Sequence, residues 1–257
     1  SGAALLTEMG RLAQANALRD RVNRIVHQIR ELTWDAEAGL FRDGWHDGVA
    51  SESITPQTNV LAIYGGIAEP TTYDAIFERV MGSGPPFEDL AIPEANNPYF
   101  KYFVLETAFA IGRRRWGLDY MRWYWGSMAD RDVRTWWELF DPTTDDGSES
   151  VASTCHGYGT SPNGFLISEV VGIRPAKPGF TAVYFNPLTH GVHAVQAKIP
   201  TVYGQIMVEW ELKANGQLEA VIDASYPLEV IPELEPGLAA TATIHVSDEV
   251  SIFASDG

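Results

Sequence analysis

The hydrophobic period of this chain changes once, near Pro175, and that change constrains the fold more than any single motif. Before it, apolar residues return every three or four positions; after it, they alternate. The first period draws a stripe along a helix and the second covers one face of a strand, so one element type cannot satisfy both. The reading is α+β in two parts: a helical part, 1–174, and a strand part, 175–257, expected to form an antiparallel β-sandwich.

In the first part, Leu5, Met9, Leu12, Leu18, Val22, Ile25, Val26, Ile29 and Leu32 trace one long helix over 3–32. The Gly- and Asp-rich stretch 33–55 reads as loop. Pro56 opens a helix to about Ile67, and another covers 71–81 before GSGPP (82–86) breaks the pattern. Asn97-Pro98 supplies cap and first turn to a helix that is apolar nearly all round, which predicts burial on most sides. A helix over 116–129 follows. RTWWELF (134–140) reads as helix or helical turn, and a last helix covers 163–171 and stops at Gly172.

In the second part, Ile206, Val208, Trp210 and Leu212 alternate with Met207, Glu209 and Glu211. Asn215-Gly216 follows, then Leu218, Ala220 and Ile222. Asn-Gly between alternating runs is the strongest short hairpin signal, because both residues tolerate positive φ. Further strands are expected over 182–186, 193–199, 227–231, 239–246 and 250–254.

Composition narrows the function. Formal net charge is −16, which argues against a nucleic-acid partner and against an anionic membrane surface, both of which need basic protein surface. No apolar run reaches the length of a membrane-spanning helix. Cys155 is the only cysteine, so no internal disulfide can form. The cellular compartment stays open. Ser1-Gly2 at the start fits a mature terminus, a tag scar or a cut inside a longer protein.

Among candidate chemical residues, Glu138 comes first. Trp136 and Trp137 precede it, and such rings exclude water and stack on sugar faces. A carboxylate held beside indoles is costly to ionise, which suits proton transfer, while a nearby cation opposes the effect. Arg134, four residues earlier, is in helical reach for an ion pair that would make Glu138 a surface residue instead. Asp141 falls on roughly the same helical face. His156 in STCHGYGTSP is a candidate ligand contact or a loop imidazole satisfied by backbone. Gln57 and Asn59 read either as site amides or as helix-start residues. Asn96 and Glu94 precede the buried helix, and Asp145, Asp146 and Glu149 form an acidic loop that reads as solvated. No metal-ligand spacing is present around Cys155 and His156, and no phosphate loop follows the glycines.

Taken in order, several of these stretches are similar to one family. GLFRD (39–43), PQTNVLAIYGGI (56–67), NPYFKYFVLETAFAIGR (97–113), RTWWELFD (134–141), CHGYG (155–159), VVGIRPAKPGF (170–180) and VYGQIMVEWELKANGQL (202–218) resemble glycoside hydrolase family 78, the α-L-rhamnosidases. VVGIRPAKPGF, leading from a helix into strands, is the most specific. The resemblance implies an (α/α)6 barrel, a ring of helical hairpins, followed by a β-sandwich. It implies an inverting hydrolase without cofactor or metal, acting on a rhamnosyl glycoside. Glu138 would be the base that activates water, His156 would contact the bound sugar, and Trp136 or Trp137 would line its pocket, with Asp141, Gln57 and Asn59 as further sugar contacts.

Two departures stand out. Thr-Trp-Trp-Glu replaces the family's usual Thr-Leu-Trp-Glu or Thr-Thr-Trp-Glu. The acidic Asp-Glu-Arg-type segment that carries the family's general acid has no counterpart here. An inverting site needs a second carboxyl group about 6.5–9.5 Å from the first. The chain also supplies only about half of the helices of a full ring, which would leave apolar helix flanks in water. The expectation is therefore the C-terminal half of a barrel with its sandwich, completed by the N-terminal half of the same protein or by a second chain. The alternative is a non-catalytic carbohydrate-binding or structural subunit.

Overall fold

Proline and a polar residue just before it start two of the helices. Thr55 sits in extended backbone ahead of Pro56, and its hydroxyl oxygen accepts the Thr58 N–H (3.3 Å). Asn97 does the same ahead of Pro98, its side-chain oxygen accepting the Tyr99 N–H (2.8 Å). Both satisfy amide donors that a helix start leaves open. The computed structural model describes residues 2–87, 97–131, 134–144, 153–239 and 243–246. Glu94, Asn96, Asp145, Asp146, Glu149 and the strand expected over 250–254 lie outside the described residues.

The described chain falls into two compact units, Ser1–Cys155 and His156–Gly257. The first begins with α1 (Gly2–Glu8) and α2 (Leu12–Thr33). The single long helix expected over 3–32 is interrupted between them, because Gly10 adopts φ +72° and the Arg11 N–H returns to the Leu6 carbonyl (2.8 Å). A left-handed glycine closing back on the preceding turn is a helix C-terminus.

The stretch 33–55 is not plain loop. It holds two short hairpins, β1 (Trp34–Asp35) with β2 (Leu40–Phe41) and β3 (Trp45–His46) with β4 (Val49–Ala50). Asp47 and Gly48 both have positive φ between His46 and Val49, as a tight two-residue hairpin turn requires.

Helices α3 (Pro56–Tyr64), α4 (Tyr73–Met81), α5 (Pro98–Ala110) and α6 (Arg114–Met121) follow. Helix α3 packs on α4 and on α5, and α5 packs on α6. Phe77, Leu105, Tyr120 and Tyr124 are fully buried among them. Beyond α6 the helix widens to a π-helical stretch, Arg122–Gly126, and closes with α7 (Ser127–Ala129).

Helix α2 is tied to the chain after α3 through Arg30, which donates to the Gly66 (3.3 Å) and Ala68 (3.2 Å) carbonyls, but it buries little of its apolar face. Of its 22 residues only Ala15 and Thr33 are buried, while Val22, Ile25 and Leu32 are exposed. Burying such side chains stabilises a fold by about 1.5–3 kcal/mol each, so this stripe is unused by the described residues.

The second unit opens with α8 (Ser161–Phe165), which continues as a π-helical stretch, Leu166–Val171. This last helix joins the strands, since it packs on β5 (Ile173–Pro175) and β7 (Ala194–Thr201). Gly172 makes the junction with φ +84°. A Cβ there would lie 2.4 Å from the Asn186 carbonyl carbon and from the Pro187 nitrogen.

Strands β6 (Ala182–Phe185), β8 (Gly204–Leu212), β9 (Leu218–Ala224), β10 (Glu229–Pro232) and β11 (Thr243–Val246) complete two sheets, ordered β10-β6-β5 and β11-β9-β8-β7. Purely antiparallel pairing, expected from the alternating runs, is corrected. Sequence neighbours pair antiparallel, but β10 runs parallel to β6 and β11 parallel to β9. Those strands are not joined to their partners by tight turns, so hairpin geometry does not dictate their direction. Ile173, Val183 and Phe185 from one sheet share a core with Ile206, Val208, Trp210 and Ile222 from the other. The β8–β9 turn keeps the predicted Gly216 at φ +82°. Its Lys213 N–H pairs with the Gln217 carbonyl (2.8 Å).

Candidate functional site

The helix expected over 134–140 does not form. Residues 134–144 run as bends and turns, and their hydrogen bonds go to distant partners. The Glu138 N–H donates to the Ser153 carbonyl (2.9 Å), and Glu138 Oε2 accepts the Ser153 N–H (3.2 Å). The Thr135 hydroxyl donates to the Thr154 carbonyl. The Trp137 N–H points at Met128 Sδ (3.5 Å), and Met128 is fully buried. A segment whose amides are already committed elsewhere cannot also build an i→i−4 ladder.

Two consequences follow for the predicted residues. Without a helix, the i,i+4 relation of Arg134 to Glu138 is lost, and Arg134 is exposed. Asp141 does not share a helical face with Glu138. Its carboxylate accepts the Thr143 N–H (2.9 Å) and hydroxyl (2.6 Å), an Asx turn that ends the segment.

Glu138 itself is half-buried, as are Trp136 and Trp137 before it. Trp137 packs edge-on to Phe140, with ring centres 6.1 Å apart. Phe140 is fully buried, and its carbonyl accepts the Tyr124 hydroxyl (2.9 Å). Arg131 donates to the Ser127 (2.6 Å) and Thr144 (2.8 Å) carbonyls and lies over the Phe140 ring at 5.0 Å. The segment that carries Glu138 and the two tryptophans is thus fastened on both sides. Tyr124, Arg131 and Ser153 were not legible as part of it, because their contacts join residues far apart in sequence.

Asn59, expected as a site amide or a helix-start residue, is engaged with the backbone. It is wholly buried. Its oxygen accepts the Phe41 N–H (2.8 Å), and its nitrogen donates to the Phe41 and Thr55 carbonyls (3.0 Å each). It ties β2 to α3. Gln57, half-buried on the first turn of α3, differs: its Oε1 is enclosed and has no hydrogen-bond partner among the described residues.

His156 begins the second unit. Its ring meets Tyr158 edge-on at 4.6 Å, and its carbonyl accepts the Gly159 N–H (3.1 Å), opening the turn Gly157–Thr160.

In the first unit a groove of about 500 Å³ is lined by Ile25, Ile29, Leu32, Trp45 and Leu61 among others. Glu138 is not among its lining residues. The groove is apolar and coincides with the unused stripe of α2. Among the described residues no cluster of His, Cys, Asp and Glu is arranged to hold a metal, and no helix is long and apolar enough to cross a membrane.

Residues 172–234 match the family model of the bacterial alpha-L-rhamnosidase C-terminal domain. The GH78 family rhamnosidase of Bacillus sp. GL1 superposes on 97% of this chain with a TM-score of 0.83 and 25% identity. The Streptomyces avermitilis alpha-L-rhamnosidase complexed with L-rhamnose covers 84% of the chain with a TM-score of 0.62 and 18% identity. The Aspergillus terreus enzyme covers 84% with a TM-score of 0.65 and 13% identity, and these two likenesses show the fold alone. A search of curated protein sequences finds no match.

The chain therefore has an α+β fold of the kind found in α-L-rhamnosidases. The family it resembles, over nearly its whole length, is glycoside hydrolase family 78, the α-L-rhamnosidases. It spans 26% of the Bacillus protein and 20% of the Streptomyces one.

Proposed function

We propose that this chain is part of an inverting glycoside hydrolase that removes terminal α-L-rhamnose, with Glu138 as the general base. The observation that carries the reading is the likeness of 97% of the chain to a family 78 rhamnosidase at 25% identity. In this reading the helical hairpins are about half of an (α/α)6 ring, and the two sheets are the sandwich that follows it. The sequence puts the boundary between ring and sandwich at 174/175, whereas the compact units of the described chain divide between Cys155 and His156. Trp136 and Trp137 give the sugar a stacking wall, and Gln57 brings an enclosed acceptor that no described residue uses. Asp141 shapes the turn that closes the segment, and His156 contacts the sugar.

The base works by taking a proton from water as that water attacks the anomeric carbon. A second carboxyl group, on the opposite face, protonates the departing oxygen. That acid comes from the rest of the barrel, either upstream in the same protein or in a second chain. The exposed stripe of α2 supports this, because a completed ring of helices would cover it.

The test is an aryl α-L-rhamnoside assay on the chain joined to its complement, with the product anomer followed by NMR. Glu138→Gln is expected to lower kcat by about 10²–10⁴-fold, the range of a lost acid–base group, with sugar binding retained. Normal turnover in this variant refutes the base assignment, and a product with retained configuration refutes inversion. His156→Ala is expected to weaken inhibition by free L-rhamnose. If the joined protein binds sugar without hydrolysing any rhamnoside, the non-catalytic reading replaces this one.

A further inference from the structure

We propose that Tyr124 is a positioning residue for Glu138. The proposal rests on Glu138 being the base and adds what holds its carboxylate in place. A catalytic group must be kept within about 0.5 Å of its productive position by its surroundings. Glu138 lies in a segment without a helix or strand ladder, so its backbone alone does not supply that precision.

Two fasteners flank it. On one side the Glu138 backbone and carboxylate both pair with Ser153. On the other, two residues on, the Phe140 carbonyl accepts the Tyr124 hydroxyl at 2.9 Å, with both residues fully buried. A buried carbonyl deprived of the Tyr124 hydroxyl relocates toward another donor, and Glu138 moves with it.

Tyr124 is itself rigidly set. It lies inside the π-helical stretch Arg122–Gly126. Single π turns inside α-helices concentrate at functional positions, where they aim a side chain that a regular turn would point elsewhere. Its ring is near-perpendicular to Phe140 (88°, centres 5.4 Å apart), and Lys101 Nζ lies 5.0 Å from its centre. Lys101 is wholly buried. A lysine side chain packed over the ring discourages it from turning.

Tyr124→Phe is the direct test, since it keeps the ring and removes one hydroxyl. In the complete enzyme, kcat on an aryl α-L-rhamnoside is expected to fall about tenfold with KM within about twofold, the pattern of a displaced catalytic group. In this chain alone, the Glu138 amide is expected to exchange hydrogen about tenfold faster, because its bond to Ser153 loosens when the segment shifts. A normal kcat with a lowered melting temperature would mark Tyr124 as merely structural and overturn the proposal. Unchanged exchange at Glu138 overturns it as well. Glu138→Gln assayed in parallel separates the two readings. If that variant is active, the base assignment fails, whereas the exchange measurement still reports whether Tyr124 fixes the segment.

Discussion

An amide near the start of a helix can serve a ligand or the backbone, and the hydrogen bonds it already makes decide between them. Asn59 makes three, all to backbone and all out of water. Asn59→Ala is expected to cost about 2–4 kcal/mol in urea unfolding, because the Phe41 N–H and carbonyl are left buried without partners. Unaltered stability with weakened sugar binding would return Asn59 to the site. Two carboxylates near the same hairpins carry a pH dependence. Backbone N–H groups, Ala38 foremost, and the Arg42 guanidinium hold Asp35 below its ordinary 3.8. Partial desolvation acts to raise Asp43, but hydrogen bonds from Ser53, Thr58 and Thr55 outweigh it and leave it below 3.8. Both are lower in the folded chain than in the unfolded one, so their contribution is complete above 3.8 and is lost as pH falls through the folded values. The urea midpoint is expected to drop as pH falls below about 4, less so in an Asp35→Asn, Asp43→Asn variant. An identical acid limb in the variant would show that other groups set it.

At the scale of elements, cap chemistry was readable and tertiary hydrogen bonding was not. Thr55-Pro56 and Asn97-Pro98 start helices where their residue types require, because each acts on amides a few residues away. The hairpin turn at Asp47-Gly48 was equally local but sat inside a stretch dense in glycine and aspartate, which hid its short flanking strands. RTWWELF looked helical by composition and is not, since Ser153 and Met128 claim its amides. Gly172 shows the opposite case: its place at the end of a helix was evident, its necessity was not. Asn186 and Pro187 approach so closely that no Cβ fits, and φ is positive. Gly172→Ala is therefore expected to lower unfolding free energy by at least about 2 kcal/mol. A urea midpoint equal to that of the parent chain would show that the 172–187 contact is loose.

For the molecule as a whole, the unused stripe of α2 carries the strongest expectation. Val22→Lys with Ile25→Glu should reduce dye binding and self-association of the isolated chain while moving its Tm by less than about 2 °C, as exposed substitutions do. In the completed protein the same pair should lower Tm by about 4 °C or more, since each side chain would then lose a buried partner. A large loss of stability in the isolated chain would mean that the stripe is already packed. The amino-acid sequence by itself determined the two textures, the helix caps, the β8–β9 hairpin and the resemblance to family 78, because each depends on residues close together in the chain or on their order along it. Only the tertiary structure decided that 134–141 is irregular, that Asn59 is a strut, that β10 and β11 pair in parallel and that the last helix joins the strands. Those outcomes turn on which distant group reaches a buried N–H or carbonyl first, and no local pattern of residue types records that competition.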